Sequence, residues 1–148
     1  MPKIIVHAPQ DALDAEARRA IVGELTDFAL DCEGLPKSPF VRSTVWTYFT
    51  SYAPDEVFMG EEPATTNIVS IEIFVIAGGL DGGAKIKLIE GVTAIFGRQL
   101  GIADPVPVYI VIHEIPEKNW GIFGANADLA ALRASPADAP ALHPGARS

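Results

Sequence analysis

The order strand, helix, strand occurs twice along this chain, and that repetition constrains the fold more than any single residue does. The first unit opens over residues 3–7, where Ile4, Ile5 and Val6 are β-branched neighbours suited to a buried strand. After a loop over 8–13, Asp14 is placed to cap a helix, and Glu16 is favourable in its first turn. Ala17, Ile21, Leu25, Phe28 and Cys32 recur at helical spacing and define one apolar face. Gly34 ends that helix and Pro36 prevents its continuation. Residues 40–49, with Val41, Thr44, Val45, Trp46 and Tyr48, read as the second strand. The order then repeats. A strand over 68–77 precedes a helix capped by Asp81, with Ile86, Ile89, Thr93, Phe96 and Leu100 as its apolar face. Gly101 stops it, and a strand over 108–114 follows.

Between the units, residues 51–66 carry Pro54, Gly60, Pro63 and several acids. They read as a loop with room for a short hairpin around Val57 and Phe58. A helical crossover makes the two strands of each unit parallel. The expectation is an α+β domain over residues 1–125, with half-units of about 2–60 and 67–125. Its four strands form one mixed sheet with two helices on one face. The other face then lacks cover within the chain and calls for partner subunits. From residue 126 the composition changes. Asn126 or Asp128 caps a short helical piece through Leu129 and Leu132. The C-terminal arm over 126–148 is expected to be partly disordered, and nothing in it suggests chemistry.

A length of 148 residues suits one domain with a core of its own. The single cysteine, Cys32, excludes an intramolecular disulfide and fits a reducing compartment. A formal net charge of -8 argues against nucleic acid or an anionic membrane as partner. No apolar run is long enough to span a bilayer, and Pro9, Gln10 and Asp11 interrupt the first apolar stretch too early for a signal peptide. A cytoplasmic location is expected. His7, His113 and His143 are not spaced as metal ligands, and the Gly78-Gly79 and Gly82-Gly83 pairs lack the lysine and serine of a phosphate loop. Neither a metal nor a cofactor is expected.

Pro2 follows Met1 directly and leads straight into a strand. The second half closes on His113-Glu114-Ile115-Pro116-Glu117-Lys118-Asn119-Trp120-Gly121-Ile122-Phe123-Gly124. With the duplicated β–α–β order, these features resemble the tautomerase superfamily over roughly residues 2–124. The closing segment looks like the ending of 4-oxalocrotonate tautomerase. Gln10-Asp11 and Leu25-Thr26-Asp27 look like cis-3-chloroacrylic acid dehalogenase. The resemblance implies a homotrimer whose sheets face inward. It also implies an active site around the N-terminal proline, walled in part by a neighbouring subunit.

The chemistry behind that implication is simple. Proline at a free chain start is a secondary amine, and small second residues permit removal of Met1. An α-amino group has a pKa of about 7.7–8.0, and burial lowers it. Near neutrality such a base takes a proton and returns it. The expected function is keto–enol tautomerisation of a small 2-oxo acid or phenylpyruvate-like compound, a carbonyl or enol substrate. The alternatives are a decarboxylase or hydratase of a small acid on the same scaffold, or a non-catalytic trimer that binds a ligand or protein.

The family's charged residues are mostly replaced. Ala12 and Leu80 stand where 4-oxalocrotonate tautomerase has the arginine after its first strand, and Ser43 and Tyr109 where it has a second. Ala29 and the run 77–80 replace the dehalogenase's histidine and arginine pair, and Asn119 falls near its glutamate. The candidate catalytic set is therefore Pro2, Arg42, Tyr109 and Asn119. Arg42 lies one position from the family's arginine and is a carboxylate clamp if it faces Pro2, or a surface or interface charge if it does not. Tyr109 and Asn119 are neutral donors from a neighbouring subunit. The candidate substrate-binding set is Lys37, Ser43, Ile71, Trp120 and Phe123. Lys37 lies near the position of the active-site lysine in macrophage migration inhibitory factor. Ile4, Ile71, Ile73, Ile122 and Phe123 are candidates for the wall that excludes water from Pro2.

Overall fold

A computed structural model describes residues 1–142. The chain runs β1 (Lys3–Pro9), α1 (Ala15–Glu33), α2 (Pro39–Arg42), β2 (Trp46–Tyr52), β3 (Phe58–Met59), β4 (Glu62–Pro63), β5 (Val69–Ile76), α3 (Gly82–Leu100), β6 (Val108–Ile115), β7 (Gly121–Ile122), β8 (Ala125–Asn126) and α4 (Leu129–Arg133). The two long helices begin and end alike. Asp14 accepts a hydrogen bond from the Ala17 amide at 2.8 Å, and Asp81 from the Ala84 amide at 2.7 Å. Gly34 and Gly101 close them in the left-handed region, at φ 65° and 67°. Each N-cap stabilises its helix by about 0.5–2 kcal/mol.

The main sheet is four-stranded, in the order β2-β1-β5-β6. β1 is parallel to β2, β5 is parallel to β6, and β1 meets β5 antiparallel, so the sheet is mixed as expected. The register Ile4↔Ile73 and Val6↔Ile71 stacks four fully buried side chains under the helices. There they meet Ile21 and Leu25 of α1 and Leu88, Val92 and Phe96 of α3 in one core. The opposite face carries Lys3, Ile5, His7, Trp46, Tyr48, Ser70, Glu72, Phe74, Tyr109, Val111 and His113. Trp46, Tyr48, Tyr109 and Val111 are exposed there.

Two expectations need correction. Residues 40–49 are not one strand. Ser38 Oγ accepts from the Val41 amide, Pro39 sits in the first turn, and 39–42 form the short helix α2. The strand starts only at Trp46. The buried face of α3 is Leu88, Val92, Ile95 and Phe96, whereas Ile86 and Ile89 are exposed. Both stripes are apolar at helical spacing, and packing against α1 and the sheet selects one of them. The short helix expected near the start of the C-terminal arm is present as α4, capped by Asp128, and further along the Ala139 carbonyl accepts from the Phe40 amide at 2.9 Å. The rest of the arm, with His143, lies outside the described residues.

Candidate active site

A second apolar cluster gathers at the end of the sheet where β1 begins and β5 ends, Lys3 pairing with Phe74. Met1, Leu30, Leu35, Val41, Ile76, Ala127, Leu129 and Leu132 form it, with Trp120 and Ile122 packed against its rim. Met1 and Pro2 are both buried. A chain start is normally solvated and loosely held; here it lies inside the protein.

One carboxylate reaches into this cluster. Glu33 is the last residue of α1, and its Oε1 accepts from the Met1 amine at 2.7 Å. The residue is 2% exposed, and Oε2 has no hydrogen-bond partner among the described residues. Gly79 makes room for it, since a Cβ there would sit 3.2 Å from Oε2 and 3.1 Å from the Ile76 carbonyl. Burial holds the amine below the ordinary α-amino value. The charge and hydrogen bond of Glu33 oppose that fall, and the charge of Arg133 adds to it. Arg133, at the end of α4, donates from Nη2 to the Glu33 carbonyl at 2.9 Å and to the Gly79 carbonyl at 3.1 Å, and from Nε to the Glu33 carbonyl at 3.3 Å. The guanidinium thus ties α4, the end of α1 and the turn after β5 around the chain start.

The sequence candidates divide between this cluster and other places. Pro2 is buried next to Met1, and Trp120 packs at the cluster's rim. Phe123, at φ 51°, stacks edge-on against Trp46 with ring centroids 6.0 Å apart. Asn119 ends a single 3-10 turn, where its amide donates to the Pro116 carbonyl. Ile71 is sealed in the core beneath the helices. Arg42 donates from Nε to the Lys37 carbonyl and pairs with Asp27 on the surface, while Lys37 Nζ pairs with Asp31 at 2.9 Å. Ser43 Oγ donates to the Phe40 carbonyl. Tyr109 is 72% exposed and pairs with Ser70, at the end of the sheet away from Pro2.

Tyr109 instead lines an open cleft of about 720 Å³ with His7, Tyr52, Phe58, Met59 and Ser70. His7 bridges the Tyr52 hydroxyl and Glu72 Oε2, each at 2.7 Å, and His113 Nε2 lies 3.3 Å from Glu72 Oε1. No group of three His, Cys, Asp or Glu among the described residues is placed to hold a metal ion.

Glu33 and Arg133 were absent from the sequence candidates. Glu33 did leave a signal, because Ile21, Leu25, Ala29 and Glu33 follow one another at four-residue spacing. It is the one acid that continues the buried stripe of α1. Arg133 left none, since nothing local marks which part of the fold a C-terminal arginine reaches.

Residues 68–126 match the family model described as "Tautomerase enzyme". No curated protein sequence matches the chain. Among solved structures, a member of the cis-3-chloroacrylic acid dehalogenase family is similar with a TM-score of 0.75 and 24% identity, over 85% of this chain and 83% of that one. A protein described as a fused 4-OT symmetric trimer is similar with a TM-score of 0.72 and 24% identity, over 86% of this chain and 98% of that one. Macrophage migration inhibitory factor of Toxoplasma gondii is similar with a TM-score of 0.67 and 15% identity, over 84% and 99%.

Proposed function

The chain carries the tautomerase-superfamily fold, and from that premise we propose that it is a small-molecule isomerase whose acid–base group is the amine of Pro2. It interconverts the keto and enol forms of a small 2-oxo or phenylpyruvate-like compound, needing no cofactor. The observation that carries this reading is the buried chain start. Burial in the apolar cluster lowers the basicity of the Met1 amine, and an amine of Pro2 at the same buried head of β1 is suited to exchanging protons near neutral pH.

Removal of Met1 turns the Pro2 nitrogen from an amide into that amine and opens the space that Met1 fills. Pro2 then takes a proton from carbon or enol oxygen and returns it to the other position. The assembly we propose is a homotrimer closed over the open sheet face, where Trp46, Tyr48, Tyr109 and Val111 are exposed. One similar protein is itself described as a symmetric trimer. In that assembly Tyr109 and Asn119 reach a neighbouring subunit's cavity as hydrogen-bond donors, and Trp120 and Phe123 stand at its wall.

Intact-mass measurement shows whether Met1 is gone, and ultraviolet assay of phenylenolpyruvate ketonisation shows whether Pro2 is responsible. Pro2→Ala is expected to lower kcat/KM by about 10²–10⁴-fold. A retained Met1, or equal rates for the two proteins, overturns the proposal.

A further inference from the structure

We propose that Glu33 is the second proton-transferring group of the Pro2 cavity, and that it makes the cavity select a small carbonyl compound with a hydroxyl or amine donor beside the carbonyl and no carboxylate. This rests on the Pro2 reading above and adds to it the chemistry of the substrate.

Met1 displays the shape of what the cavity accepts. Its carbonyl carbon is bonded to the Pro2 nitrogen, its α-carbon comes next, and its amine follows. The space in front of that nitrogen is thus filled by a carbonyl with a donor on the adjacent carbon. The donor end falls 2.7 Å from Glu33 Oε1. The thioether arm lies among Leu30, Leu35, Val41, Ile76, Leu129 and Leu132. When Met1 leaves, an enol or an α-hydroxy or α-amino carbonyl compound with an apolar arm reproduces each of these contacts.

The charge balance points the same way. Buried carboxylates are paired or hydrogen-bonded, and the ion partner of Glu33 is the amine that departs with Met1. Oε2 has no partner among the described residues. Arg133 spends Nε and Nη2 on the Glu33 and Gly79 carbonyls rather than on the carboxylate. With Met1 gone, the Glu33 carboxylate therefore stands beside the Pro2 amine with no other hydrogen-bond donor on it among the described residues. A carboxylated ligand meets repulsion there, and a hydroxyl or amine meets an acceptor.

The Glu33 carboxylate takes the enol hydroxyl proton, and the oxygen–hydrogen pair becomes the new carbon–oxygen π bond. The carbon–carbon π pair takes a proton from the Pro2 ammonium. Pro2 is left neutral and Glu33 protonated, and transfer of that proton to Pro2 restores both groups.

The test compares phenylenolpyruvate with its methyl ester, which differ in charge, using protein whose intact mass shows that Met1 is absent. Wild type is expected to favour the ester in kcat/KM by about tenfold or more. Preference for the acid overturns the inference without need of any variant. Glu33→Gln is expected to lower kcat for the ester and KM for the acid, bringing the two substrates together. A substrate ratio that stays within about twofold of wild type in Glu33→Gln, while Pro2→Ala abolishes both activities, overturns the role of Glu33 and leaves that of Pro2 intact. Full activity in Pro2→Ala removes the Pro2 reading, and this inference with it.

Discussion

The amine of Met1 and the carboxylate of Glu33 lie 2.7 Å apart, each with side-chain exposure of 1%. A charged pair is costly to bury unless its partners satisfy each other. Here one partner is the first atom of the chain, and the other is held by the last residue of a 19-residue helix. Processing of Met1 would therefore change both the shape and the charge of the cavity in one step.

That relationship sets the pH dependence of the mature site. Burial lowers the Met1 amine, Glu33 of α1 raises it, and Arg133 of α4 lowers it; the Pro2 amine exposed by loss of Met1 is expected to feel the same three groups. In the step written for an enol, Pro2 works in its ammonium form, so kcat/KM for ketonisation falls as pH rises through the amine's pKa. A neighbouring carboxylate stabilises the charged amine. Glu33→Gln removes that stabilisation and is expected to move the falling limb to lower pH. A limb that stays in place in a pH–rate profile contradicts the electrostatic role of Glu33.

Arg42 is expected to contribute little to carboxylate binding. Its guanidinium is spent on Asp27 and the Lys37 carbonyl at a half-exposed position, where ion pairs are worth about 0–1 kcal/mol. Arg42→Ala should leave KM for phenylenolpyruvate within about twofold of wild type. A tenfold rise, about 1.4 kcal/mol, would instead identify Arg42 as a clamp reached through a subunit contact.

On the open sheet face, hydrogen bonding from His7, with a smaller contribution from His113, holds the Glu72 carboxyl below its ordinary value. A depressed carboxyl contributes stability above its unfolded pKa and loses it as pH falls through the folded one. His7→Ala removes the main cause. The difference in Tm between wild type and His7→Ala should therefore shrink as pH is lowered from about 5 to about 2. A constant or growing difference over that range contradicts the linkage.

Arg133 is expected to hold α4 in place. Its donors reach two backbone carbonyls, and hydrogen bonds to a charged group are worth about 1.5–3 kcal/mol each. Arg133→Ala should lower Tm and speed amide exchange over 129–134 while leaving exchange in β1 and β5 unchanged. Unaltered exchange in α4 would show that Leu129 and Leu132 suffice to dock it.

The order of elements was legible because its signals act within one turn. Asp14, Gly34, Asp81 and Gly101 begin and end helices through their own hydrogen bonds and dihedral angles, whatever the rest of the chain does. The doubled β–α–β order and the uncovered sheet face followed from the same local evidence. The tertiary structure decided what depends on distant partners. It chose Leu88, Val92, Ile95 and Phe96 over Ile86 and Ile89 as the buried stripe of α3, and it made 39–42 a helical turn that packs Val41 against the chain start. It also brought Glu33 and Arg133, 100 positions apart, into direct hydrogen-bond contact beside the chain start. Spacing along a chain shows which side chains share a face. What that face meets, and whether a charge on it is left without a partner, is determined only when the elements pack.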